Sequence, residues 1–138
     1  MSDPSDGAGS ADRAAGVEAL AGLGPGVRPV SEPVDLGALG EACGRQGRPF
    51  VVLDTHAVAD KAAFMEAVST AFELPGWFGR NWDALAECLG DVPPGTVLAW
   101  DGWTDLARAA PRACEVAIEV LAESGLTVLM VNAPQAEE

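Results

Sequence analysis

The tightest constraint in this chain is a set of three short apolar runs, FVVLD at 50–54, TVLAW at 96–100 and LTVLMV at 126–131, separated by residues patterned for helices. Such compact β-branched and apolar runs read as buried strands, and helical crossovers between successive strands favour parallel pairing with right-handed connections. LTVLMV is almost continuously apolar, the pattern of a strand buried on both faces. The expected order is β, α, α, β, α, α, β: an α/β, three-layer-like fold with a small three-stranded parallel sheet and about four helices.

The intervening segments carry helix punctuation. DKAAFMEAVSTAF places Phe64, Val68 and Phe72 four apart, with Asp60 as N-cap and Pro75 and Gly76 as the stop. In NWDALAECLGD, Asn81 is the expected cap and Leu85, Cys88 and Leu89 the inward face, ending at Gly90 or DVPPG. A helix from Gly102 or Trp103 breaks near Pro111, which suits the first turn of the next helix. There Cys114, Ile118 and Leu121 face inward, with Val116, Ala117 and Val120 around them, and Gly125 closes the helix.

Residues 1–47 read as an N-terminal extension. Residues 1–29 are rich in Ala, Gly, Pro, Ser and Asp, and VEALAGLG is too short and Gly-interrupted to return much burial, so a mobile tail is expected. A short helix is expected at 35–45, with Leu36, Leu39 and Cys43 at helical spacing, weakened by Gly37 and Gly40. A single domain over 48–133 then precedes a solvated tail at 134–138. A chain of 138 residues supports one hydrophobic core of this kind.

Charge narrows the function. Eight Lys and Arg stand against 21 Asp and Glu, net -13, which opposes nonspecific binding to nucleic acid and favours a cationic partner. No apolar run is long enough for a membrane span, the N-terminus lacks a secretory pattern, and Cys43, Cys88 and Cys114 form no framework or CxxC knuckle. Cytoplasmic location and reduced thiols are expected.

The most informative spacing is Asp83 and Glu87, four apart, with Asp91 continuing the series. Spacing alone fits a solvated face as well as a surface kept for a cationic partner. Just upstream, Trp77, Phe78 and Trp82 lie in so Gly-rich a segment that at least one is expected at the surface, though any one ring also fits a core position. An exposed aromatic beside carboxylates is a common make-up of protein-binding hot spots.

LPGWFGRNWDALAECLGD resembles the signature of the barstar family, intracellular inhibitors of small secreted microbial ribonucleases: Leu-Pro, an aromatic pair, Gly, then Asn-x-Asp-Ala-Leu and an acid before Cys-Leu. The resemblance covers roughly residues 48–133. It implies that Asp83 and Glu87 lie on an acidic helix entering the nuclease active site, that Trp77 and Phe78 form the aromatic pair of the binding loop, that Gly79 allows close approach, and that Asn81 and Trp82 support the loop and helix start. It implies an interface acid near Glu119. Carboxylates on a rigid helix would occupy the active-site cations as phosphate surrogates. Glu87 is one methylene longer than the family's usual Asp, and Arg80 stands where a family member has an acid, so the target is expected to differ from the namesake's.

Enzyme readings have less behind them. His56 is alone, in a loop after a strand, where a solvated or structural role is the common one; no HExxH, G-x-S-x-G or phosphate loop is present. No catalytic residue, cofactor or metal is expected. The expected function is inhibition of a guanyl-preferring secreted ribonuclease by a protein monomeric when free, one-to-one; the alternative is an acidic module for another basic toxin or regulatory partner.

Overall fold

The computed structural model describes residues 16–75 and 79–132. The elements in chain order are a short helix α1 (16–21), β1 (Gly26–Pro29), α2 (Leu36–Arg45), β2 (Phe50–Asp54), α3 (Lys61–Phe72), α4 (Trp82–Gly90), β3 (Val97–Asp101), α5 (Trp103–Ala109), α6 (Pro111–Glu123) and β4 (Thr127–Val131). The strands form one parallel sheet in the order β1-β4-β3-β2, with Phe50 beside Val97, Val97 beside Thr127, and Thr127 beside Gly26. The α/β class holds. The sheet has four strands rather than three; α3–α6 are the four helices expected with it, α2 is the short helix expected at 35–45, and α1 is additional.

The extra elements come from the segment expected to be a tail. Residues 16–29 supply α1 and β1, and β1 hydrogen-bonds along β4 through Gly26 N–H to the Leu126 carbonyl and Val30 N–H to the Met130 carbonyl, both 2.9 Å. GVRP carries no strand pattern, but an edge strand needs donors on one side only and so tolerates Pro29. Residues 1–15 and the tail expected at 134–138 lie outside the described residues.

Side chains alternate across the sheet because strand residues point to opposite faces in turn. Leu53, Leu98, Trp100, Val128 and Met130 face α3, α4, α5 and α6, whose Phe64, Met65, Val68, Leu85, Leu89, Leu106 and Leu121 complete this larger core. Within it, Trp100 Nε1 donates to Thr55 Oγ1 at 2.9 Å. Val97, Ala99, Leu129 and Val131 face the other way, against Ala21, Leu39, Ala42 and Cys43. The sheet is therefore covered on both sides.

Local chemistry explains the element ends. The side chains of Asp35, Asp60 and Asn81 accept from the backbone N–H three residues on, at 3.2, 2.8 and 2.8 Å, capping α2, α3 and α4. Gly102 begins α5 at φ 81, where a Cβ would lie 2.5 Å from the His56 nitrogen, so only glycine fits. Pro111 occupies the first turn of α6, where it removes no helical hydrogen bond. All three cysteines are free and buried.

Candidate functional site

α4 is held from both ends of its first turn. Asn81 Oδ1 accepts from Ala84 N–H at 2.8 Å, while its Nδ2 donates to the Gly79 carbonyl at 3.4 Å, so one amide joins the incoming loop to the helix. A Cβ on Gly79 would stand 3.2 Å from that same amide and 3.5 Å from the Ala84 methyl, so a side chain there would press on the Asn81 amide. Trp82 is half-buried, its ring 5.8 Å from Phe64 and beneath the Lys61 ammonium, also 5.8 Å from the ring centroid. It anchors α4 to α3. Trp77 and Phe78 lie outside the described residues.

Burial of Leu85, Cys88 and Leu89 turns the opposite side of α4 outward, so Asp83, Ala86, Glu87, Gly90 and Asp91 are all exposed. Asp83 sits in the first turn, where the helix dipole favours an acid; Asp91, as C-cap, sits where it does not, and no basic residue occupies the last turn. Among the described residues no Lys, Arg or His pairs with Asp83, Glu87 or Asp91. The result is an uncompensated line of carboxylates separated by small residues on a capped helix. Burial pushes the Cys88 thiol up, and Asp91 and Glu87 push it further. Glu119 is exposed on α6, which packs beside α4, and it too has no ion-pair partner among the described residues.

Two features of the surroundings escape sequence reasoning. Arg80, at φ 56, turns its guanidinium onto α3, with Nη1 2.6 Å from Glu66 Oε2. A pair fourteen positions apart leaves no periodic trace. At the other feature, His56 Nδ1 lies 2.7 Å from Asp54 Oδ1 and Nε2 lies 3.5 Å from Asp101 Oδ1. The Asp54 hydrogen bond raises the His56 pKa above its ordinary value, opposed by partial desolvation and helped by Asp101 and Asp105. In turn, the His56 backbone N–H and then its ring hold Asp54 below the usual carboxylate range.

Among the described residues, a cavity of about 390 Å³ on the β2 side is lined by Pro49, Phe72, Cys88 and Asp91, and one of about 980 Å³ lies around α1 and α2 from Gly16 to Arg45; neither includes Asp83, Glu87 or His56. Among the described residues no group of three or more His, Cys, Asp or Glu is arranged to hold a metal ion. The acids on α4 present a surface, which suits contact with another macromolecule.

Comparison with known proteins agrees with the loop and helix just described. No curated protein matches the chain. The family model described as barstar (barnase inhibitor) matches residues 48–130, more than half of the chain and the whole stretch from β2 through α4 to all but the end of β4. This chain belongs to the barstar family.

Proposed function

We propose that this protein inhibits a small secreted microbial ribonuclease of the guanyl-preferring class by laying α4 across its cationic active site. The observation that carries the reading is the exposed pair Asp83 and Glu87, left without internal cations on a helix whose start is fixed by Asn81, in a chain of the barstar family. Carboxylates held this way offer an Arg, Lys or His cluster the oxygens that RNA phosphate would offer. Binding excludes substrate with no bond made or broken. Trp77, Phe78 and Gly79 would supply apolar contact and close approach, Asn81 and Trp82 the support, and Glu119 a contact from α6.

The inhibitor acts as a monomer, one copy per nuclease, in the cytoplasm; its free, buried cysteines suit a reducing compartment. A second reading, a different basic toxin or a regulatory partner, draws on Arg80, a cation beside the acidic line.

Steady-state RNA cleavage tests the mechanism. Inhibition by this protein is expected to be competitive with a nucleotide bound in the nuclease active site. Asp83→Ala and Glu87→Ala should each cost about 2–5 kcal/mol of binding if the complex desolvates the acid. Binding without competition, or full inhibition by a folded double variant, overturns the active-site plug.

A further inference from the structure

Two guanidinium groups in this molecule are held in opposite ways. Arg48 is partly buried with each of its three nitrogens engaged, donating to the Gly95 and Leu23 carbonyls at 2.7 Å, to the Ala21 carbonyl at 2.5 Å and to Thr127 Oγ1 at 2.9 Å. Arg80 is 58% exposed and touches one acid, Glu66, itself 59% exposed. Its Nε and Nη2 have no acceptor among the described residues. Although Asp83 is only three residues away, the two form no ion pair among the described residues; the guanidinium lies instead against Glu66 of α3.

From this geometry we infer that Arg80 is a specificity-determining residue, which recognises a carboxylate on the rim of the partner's cationic site. The inference rests on the inhibitor reading above and names a further feature of the same partner. Three observations support it. A guanidinium presents a planar fork of five donors, and among the described residues only Nη1 of Arg80 meets a carboxylate, that of Glu66. An ion pair between two such exposed side chains contributes little to stability, so exchanging or sharing Glu66 on binding costs little. Lys61, over the Trp82 ring, adds a second cation near the start of α4. Both cations thus stand near the start of the helix that carries Asp83, Glu87 and Asp91. A partner that is basic throughout meets repulsion at Arg80, strengthened as water leaves the interface, whereas one with an acid at that edge is drawn in and oriented.

The test uses the full chain against barnase and a panel of other purified, small, secreted guanyl-preferring ribonucleases, with inhibition constants for wild type, Arg80→Glu, Arg80→Lys and Asp83→Ala. Thermal unfolding confirms that each variant folds. Arg80→Glu should reorder the panel: nucleases inhibited best by wild type lose tenfold or more, and at least one inhibited poorly gains tenfold. Arg80→Lys, which keeps the charge but loses the fork, should keep the wild-type order with smaller losses. A uniform change across the panel, or changes below threefold, overturns the role of Arg80. If Asp83→Ala still weakens inhibition throughout in that case, the inhibitor reading stands and this inference alone falls. Failure of wild type and every variant to inhibit any nuclease removes both.

Discussion

The two faces of the sheet are packed on different principles. The face toward α3–α6 is filled by volume, with Trp100, Phe64, Met65 and several leucines fully buried. The face toward α1 and α2 is filled by closeness, through Ala21, Ala42, Cys43 and Ala99 with Leu39 and Leu129 between them. At Gly40 a Cβ would stand 3.1 Å from the Phe50 ring, so α2 lies this near β2 because residue 40 lacks a side chain. Hydrogen bonds add to the thin layer: Asn132 exchanges bonds with both the N–H and the carbonyl of Val34 at 2.8 and 3.2 Å, and Thr127 Oγ1 donates to the Gly24 carbonyl at 2.9 Å. The first face lies within the family-matched residues, whereas the layer over the second is supplied by Ala21, Leu39, Ala42 and Cys43, which lie outside them.

The largest expected effect follows from removing that second layer. Deleting residues 1–47 exposes Val97, Ala99, Leu129 and Val131, all at 0% exposure in the intact chain. Burial of a Val or Leu side chain is worth about 1.5–3 kcal/mol, so losing three of them approaches the roughly 5–15 kcal/mol that stabilises a whole domain. The truncated chain should lose its cooperative thermal transition and near-ultraviolet circular dichroism. A truncated chain that melts cooperatively within a few degrees of the full protein would mean that the layer of α1 and α2 adds little to the stability of the sheet.

A smaller effect is expected where the two segments are pinned together. Arg48 stands at the start of the family match, yet its guanidinium binds the Ala21 and Leu23 carbonyls of the thin layer and Gly95 and Thr127 at the N-terminal ends of β3 and β4. Arg48→Ala leaves these partly buried acceptors without their donor and should cost about 2–4 kcal/mol in denaturant unfolding. Arg48→Lys should fall between, since an ammonium cannot span four acceptors. Equal stability of Arg48→Ala and wild type would mean that α1 and β1 are held by apolar contact alone.

These two regions also differ in how legible they were in the sequence. β2, β3 and β4 stood out as apolar runs, and Asp60, Asn81 and Pro111 occupy the cap and first-turn positions their chemistry predicts. The thin layer carried weaker signals, because Ala, Gly and a four-residue edge strand built on GVRP owe their order to tertiary contact. One signal did point to it: LTVLMV asked for burial on both faces, and every residue of β4 is buried. At the site, the four-residue spacing of Asp83 and Glu87 correctly gave their shared exposed side. The Arg80–Glu66 pair and the His56 contacts depend on a left-handed residue and on strand register, which spacing does not encode.

The smallest expected effect lies where the thin layer ends. Phe50 is covered by α2, but Val52, next on the same side of β2, is 38% exposed, and Asp54 beyond it is open to solvent. Asp54 pairs in register with Asp101, so two carboxylates of like charge stand side by side on this face. His56 lies between them, with Asp105 of α5 as the further acid acting on it, and among the described residues Asp101 Oδ1 has no hydrogen-bond partner. Since the folded state raises the His56 pKa above its ordinary 6.5, the imidazolium contributes stability that is fully present below pH 6.5 and is lost as pH rises through the folded value. The ring is more than half exposed, so screening keeps the contribution small. Unfolding of wild type and His56→Asn should therefore differ most at about pH 5.5 and converge toward about pH 8, with the His56 ring titrating above 6.5 by NMR. A difference that grows with pH would mean that the neutral ring, through its Asp54 hydrogen bond alone, closes this end of the sheet.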